Sequence, residues 1–154
     1  MKRLRSAARG AVAVEYLIAF LPVLFLFAST WQVADLFAAQ LIVQRAASAA
    51  ARAASVVLPD DPYYYPGSGV DSYSGERKAQ IELAANLVLQ ASPKIVAGPS
   101  LQVEGASGNG PITVTLRATA LCFPGWGNLV CGSDGQQPLQ AVVRYPYYGA
   151  TYTY

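Results

Sequence analysis

The sequence predicts an α+β fold: a long N-terminal membrane-and-stalk helix, then a small domain of one helix on a three-stranded antiparallel sheet. Three observations predict it. Tyr16 to Ala34 is an uncharged, almost wholly apolar run. Ala-rich helical sequence continues from Asp35 to about Val57. Beyond Pro93, three segments alternate apolar and polar residues with a period of two. The 154 residues make room for one ordinary domain. Charged residues are 13%, about half the usual share of about 25%, so part of the chain lies in lipid or much of its surface is covered by partners.

The N-terminal tip carries Lys2, Arg3, Arg5 and Arg9 with no acid among them. From Ala11 onward seven basic residues face nine acidic ones, so nothing downstream forms the basic stripe that nucleic acid requires. The chain has no His, which removes the commonest general base and metal ligand and excludes Ser-His-Asp and Cys-His mechanisms. No two carboxylates sit in a motif for acid/base work, no motif calls for a cofactor or metal, and the reading is not that of an enzyme.

At about 1.5 Å per residue, Tyr16 to Ala34 spans about 29 Å, close to a hydrocarbon core of about 30 Å. Trp31 falls near the far end, where indole rings favour the interface. The positive-inside rule keeps the basic tip in the cytoplasm and sends the remainder out. The run is too long for a cleaved secretory signal, and an uncleaved signal anchor is the plain alternative. Pro22 lies inside this helix and predicts a kink, although membrane helices tolerate Pro well. Glu15 at the start of the run is costly to place beside lipid and needs a partner or a route to the headgroups.

Further along, Gln40, Gln44, Ser48 and Arg52 recur every four residues as one polar stripe on a surface otherwise of Ala, Leu, Ile and Val. Leu36, Phe37, Leu41, Ile42 and Val43 would be badly exposed on a free helix, so the stalk packs against neighbouring stalks or its own domain. Two prolines in Leu58-Pro59-Asp60-Asp61-Pro62 end it, and residues 58–75 read as a Pro/Gly/Tyr loop. Asp60, Asp61 and Asp71 match no calcium loop and read as solvated.

A second helix is expected from about Gly75 to Ala91, capped by Ser74 with Glu76 in its first turn. Ile81, Ala84, Ala85, Val88 and Leu87 would share a face. The strands are read at Leu101–Glu104, Ile112–Ala120 and Leu139–Tyr145, one face apolar and one polar, as in an antiparallel sheet covered on one side. Residues 105–110 make a Gly-rich hairpin loop. Cys122 and Cys131 are the only cysteines and outside the cytoplasm pair as a disulfide, closing a loop with a stabilisation of about 2.5–3 kcal/mol. Trp126 at that loop's tip either meets a partner or folds back. The Tyr-rich end, Tyr145 to Tyr154, reads as an edge strand with recognition as the alternative.

The string Arg9-Gly10-Ala11-Val12-Ala13-Val14-Glu15-Tyr16, a basic tip, a Gly, small or apolar residues and Glu-Tyr before an apolar helix, resembles the processing site of type IV pilin-like proteins, and the Glu-Tyr pair resembles their tight-adherence (Tad) branch. With the Ala-rich, Arg-spaced stretch Gln44 to Ala54, and a hundred residues beyond the membrane, it resembles a TadE-like pseudopilin. The resemblance implies a leader of residues 1–10 removed between Gly10 and Ala11 by a prepilin peptidase. Glu15, with Tyr16, would then register the subunit by pairing with the new ammonium of a neighbour. It also implies an organisation of residues 11–57 as membrane and stalk helix and 76–154 as extracytoplasmic domain. The implied partners are the peptidase, other pilin subunits, an inner-membrane assembly platform and membrane lipid, with no nucleic acid. The domain would face the periplasm, or the exterior in a filament. The alternative is an uncleaved, signal-anchored extracytoplasmic binding protein.

Overall fold

The computed structural model describes residues 2–106, 110–123 and 131–149, with side chains described for all of these except 2–12 and 96–98. Helix α1, Lys2–Val57, is one continuous helix that runs through Pro22 and at about 1.5 Å per residue is about 84 Å long. After a 3-10 turn at Pro62–Tyr64, helix α2 (Gly75–Leu89) returns antiparallel to it. Strands β1 (Ile95–Glu104), β2 (Ile112–Leu121) and β3 (Gln136–Tyr145) then form an antiparallel meander in the order β1-β2-β3.

The far half of α1 is the centre of the domain. Ala39, Val43, Ala46, Ala47, Ala50, Ala51, Ala54 and, one residue past its end, Leu58 are buried, a stripe at three- and four-residue spacing. It packs against α2 and against one face of β2 and β3. The sheet contributes Leu101, Ile112, Val114, Leu116, Ala118, Ala120, Leu139 and Ala141 to the same core, and α2 contributes Ile81, Ala85 and Leu89. Small side chains on α1 let the sheet and α2 approach its backbone, and most of the larger aliphatics come from the other layers.

The sheet differs from the sequence reading at its ends. β1 begins at Ile95, six residues early, with a register irregularity between Val96 and Ser100. Gly98 and Pro99 lie in that stretch, and a Pro without an N–H cannot keep the ladder. β3 begins at Gln136 and carries Pro138, paired with Thr119, tolerated because β3 is an edge strand. β2 gains Leu121. Gly105 (φ 86°) leads out of β1, and a Cβ there would stand 2.9 Å from the Pro111 carbonyl oxygen, so Gly is required. Residues 107–109 of the Gly-rich loop lie outside the described residues.

Helix α2 ends at Leu89, and Leu87 is exposed rather than on the buried face. Ser74 holds the N-cap position with extended backbone but makes no side-chain cap; its hydroxyl is 2.9 Å from that of Ser72. The edge-strand reading of the C-terminus holds only to Tyr145. Tyr147 leaves the strand, is buried and donates its hydroxyl to Asp71, while Tyr152 and Tyr154 lie outside the described residues.

Candidate functional site: the apolar helix and the foot of the domain

The first part of α1 stands clear of the domain. Ala13 to Trp31 is exposed or half-buried, and among the described residues Gln32, 5% exposed, is the first that is buried. The free stretch of about 28 Å matches the thickness of a hydrocarbon core of about 30 Å. Its window is long and apolar enough to cross a membrane and almost wholly unburied by the protein itself. Two of its polar residues are satisfied within the helix: Ser29 donates to the Phe25 carbonyl and Thr30 to that of Leu26, each at 2.8 Å. Such i−4 bonds hide hydroxyls where no water can solvate them.

Glu15 projects exposed from this helix, and Tyr16, 62% exposed, stacks on Phe20 with ring centroids 5.3 Å apart. Gly10 and Ala11 lie within α1, but the Ala11 side chain and those of the basic tip are outside the described residues. Glu15 is separated from Gln32 by about 26 Å of helix, so the residues of the proposed processing site and the disulfide stand at opposite ends of the free segment.

Gln32 marks the foot of the domain. Its Oε1 accepts the Phe123 backbone N–H at 3.0 Å. Phe123, 64% exposed, lines one apolar groove with Phe27, Ala28, Trp31 and Gln32. One turn above, Asp35, the first charge after Glu15, pairs with Lys94 at the start of β1, and the Leu121 N–H donates to the Lys94 carbonyl at 2.8 Å. Cys122 and Cys131 are joined as a disulfide with Cα atoms 6.4 Å apart, which ties the end of β2 to the approach to β3. Residues 124–130, including Trp126, lie outside the described residues.

The other end of the domain is built around a residue that the sequence reading left unassigned. α1 ends with no basic residue in its last turn, so its terminal carbonyls lack a local cation. Arg77 of α2, fully buried, supplies one. Its guanidinium donates to the carbonyls of Val57, Leu58 (3.1 Å) and Asp60 (2.9 Å) and lies 4.5 Å from the Tyr65 ring centroid. A cation at a helix C-terminus also opposes the macrodipole. The available signal was the missing cap on α1, which requires a donor from elsewhere. The aspartates of the loop have their own tasks: Asp61 accepts from Tyr63 N–H, Asp60 from Asp61 N–H and Asp71 from Tyr147. Among the described residues no three His, Cys, Asp or Glu gather as metal ligands. Tyr63 and Tyr64, edge to face at 5.6 Å, and Tyr148 are strongly exposed at this distal end.

Burial pushes the phenols of Tyr73 and Tyr147 well above their ordinary pKa of about 10, and the adjoining carboxylates of Glu82 and Asp71 push the same way. No curated protein and no solved structure matches the chain. The model of the family described as TadE-like protein matches residues 10–52. That match begins at Gly10, runs through Glu15 and the free helix, and ends within the buried Ala stripe, so over this segment the chain is similar to TadE-like proteins.

Proposed function

We propose that the protein is a pilin-like structural subunit of a Tad-type pilus system, without enzymatic activity, processed between Gly10 and Ala11. The observation that carries this is the TadE-like match over residues 10–52 on an unbroken helix with Glu15 exposed near the start of its membrane-length segment. Cleavage would leave the Ala11 ammonium one helical turn from Glu15 of its own chain. In lipid, a carboxylate there gains most by pairing with the ammonium of a neighbouring subunit. The exposed side of the stalk, with Leu41, Gln44, Arg45 and Arg52, is the face left for other subunits. The domain would lie in the periplasm, or outside the cell in a filament.

The test is intact mass of the protein taken from its native membrane, for the natural sequence and for Gly10→Phe. Loss of the first ten residues in the former alone supports the reading, and Glu15→Ala should then leave processing intact and abolish co-purification with other pilins. An uncleaved chain in both overturns it. The exposed Tyr63, Tyr64 and Tyr148 favour a second reading in that event, an uncleaved anchored protein whose distal aromatic face binds a ligand.

A further inference from the structure

We propose that the foot of the domain is a second membrane contact, with Phe123 seated in the interfacial zone of the bilayer leaflet next to the domain. The inference rests on α1 crossing a bilayer and not on any role in a pilus. Level along α1 decides it. Asp35 and its partner Lys94 are the lowest described charged pair of the domain, and a charged pair belongs among headgroups and water. Phe123 lies on the other side of that pair: its backbone is held by Gln32, and its ring shares a groove with Phe27, Ala28 and Trp31. From Asp35 down to Ala28 is about 10 Å of helix, enough to pass from the headgroups to the edge of the hydrocarbon.

Chemistry agrees with the level. The groove is apolar and open, Phe123 and Trp31 are each more than 60% exposed, and Phe27 and Trp31 are in ring contact at 6.3 Å. Leu121, two residues before Phe123, is also exposed. In water this cluster would stand as an unexplained apolar patch. Against a bilayer it is continuous with the lipid-facing surface of the helix, with Trp31 at the interface and the Lys94 amine free to reach the phosphates while it holds Asp35. The disulfide fixes Cys122, the residue before Phe123, so the ring is presented from a braced strand end. The consequence is orientational. A single helix leaves its domain free to tilt and rotate over the membrane, whereas a second contact on one side of α1 sets which face of the domain turns to neighbouring subunits.

The test uses the full chain in vesicles of phosphatidylcholine brominated near the headgroup end of its acyl chains. Three single-Trp proteins are compared: Trp126→Phe, which reports Trp31; Trp31→Phe with Trp126→Phe and Phe123→Trp; and the same pair of Trp replacements with Tyr148→Trp at the distal end. The expected result is that the Trp at position 123 is blue-shifted and loses about as much emission to bromine as Trp31, while that at position 148 loses none. Solvent-like, unquenched emission at 123 beside a quenched Trp31 overturns the proposal and leaves the spanning helix standing. If Trp31 is also unquenched, the spanning reading falls with it. A second measurement keeps the backbone of the site: in the Trp126→Phe protein, Phe123→Asp should draw water to the groove and make Trp31 accessible to aqueous iodide. Unchanged shielding of Trp31 would count against the contact.

Discussion

Arg77 is a full positive charge with none of its side chain in contact with water, held by three carbonyls and the face of Tyr65. Its Nε has no partner among the described atoms, so the site satisfies the fork of the guanidinium and not the whole group. Arg77→Ala would take the guanidinium from the carbonyls of Val57, Leu58 and Asp60, of which Leu58 keeps the Asp71 N–H, and would open a cavity between α1 and α2. The expected loss is about 3–5 kcal/mol, read as a large drop in the thermal midpoint of the full chain in detergent by circular dichroism. Arg77→Lys keeps the charge but not the planar fork and should fall between the two, whereas a lysine variant as weak as the alanine would show that geometry alone matters. Nothing in the local sequence around Arg77 marks it, because its partners are carbonyls 17 to 20 residues away. Tyr147 and Tyr73 make a second residue-scale prediction. Their raised pKa values mean that the folded chain keeps phenol protons that the unfolded chain releases. The linked stability is therefore whole below about pH 10 and is lost as pH climbs from there through the raised folded values. Tyr147→Phe with Tyr73→Phe should cost about 1–3 kcal/mol at neutral pH yet flatten the alkaline limb of a stability-versus-pH curve. An alkaline limb as steep as that of the unaltered protein would sink the assignment.

At the scale of elements, α1 and β2 were the most legible parts of the sequence, for a shared physical reason. A nineteen-residue uncharged run and a nine-residue strict alternation, Ile112 to Ala120, are signals that tertiary context rarely overrides. The disulfide was legible from compartment and count. Less legible were β1, whose Gly98 and Pro99 break the alternation, and the C-terminal Tyr segment, whose partner Asp71 sits in a distant loop. The polar stripe at Gln40, Gln44, Ser48 and Arg52 was visible as a pattern, and the structure places it beside the buried face, with Gln40 reaching the Gln140 carbonyl of β3 at 3.0 Å. Ala46, Ala47, Ala50 and Ala51 are each fully buried, so their size sets how closely the sheet and α2 lie on α1. Ala47→Leu forces four heavy side-chain atoms into the space of one and should cost about 1–3 kcal/mol. Ala38→Leu, on the exposed face, should stay within about 0.5 kcal/mol. Equal melting temperatures for the two variants would mean that the interface yields and that helix propensity, not packing, selects Ala.

For the molecule as a whole, one helix has two solvents. Its first part is dressed for lipid and its last part is the middle layer of a domain, with the change at Gln32. The domain therefore cannot be defined by the chain that follows the helix. Without residues 1–57, the faces of β2 and β3 that carry Val114, Leu116 and Ala141 would lose their cover, and α2, which touches β1 only lightly, would lose its main partner. Arg77 would lose the helix end it caps. A fragment of residues 58–154 is accordingly expected to be collapsed or aggregated, with no cooperative thermal transition. A fragment beginning at Gln32 retains the whole buried stripe from Ala39 to Leu58 and the Asp35–Lys94 pair. It should be soluble, monomeric and cooperatively folded, at a stability lowered only by fraying of its first turns. Size-exclusion chromatography and circular dichroism melts of the two fragments decide the matter. A sharp melt from the shorter one would show that sheet and α2 close a core by themselves, and would turn α1 from the centre of the domain into a detachable stalk.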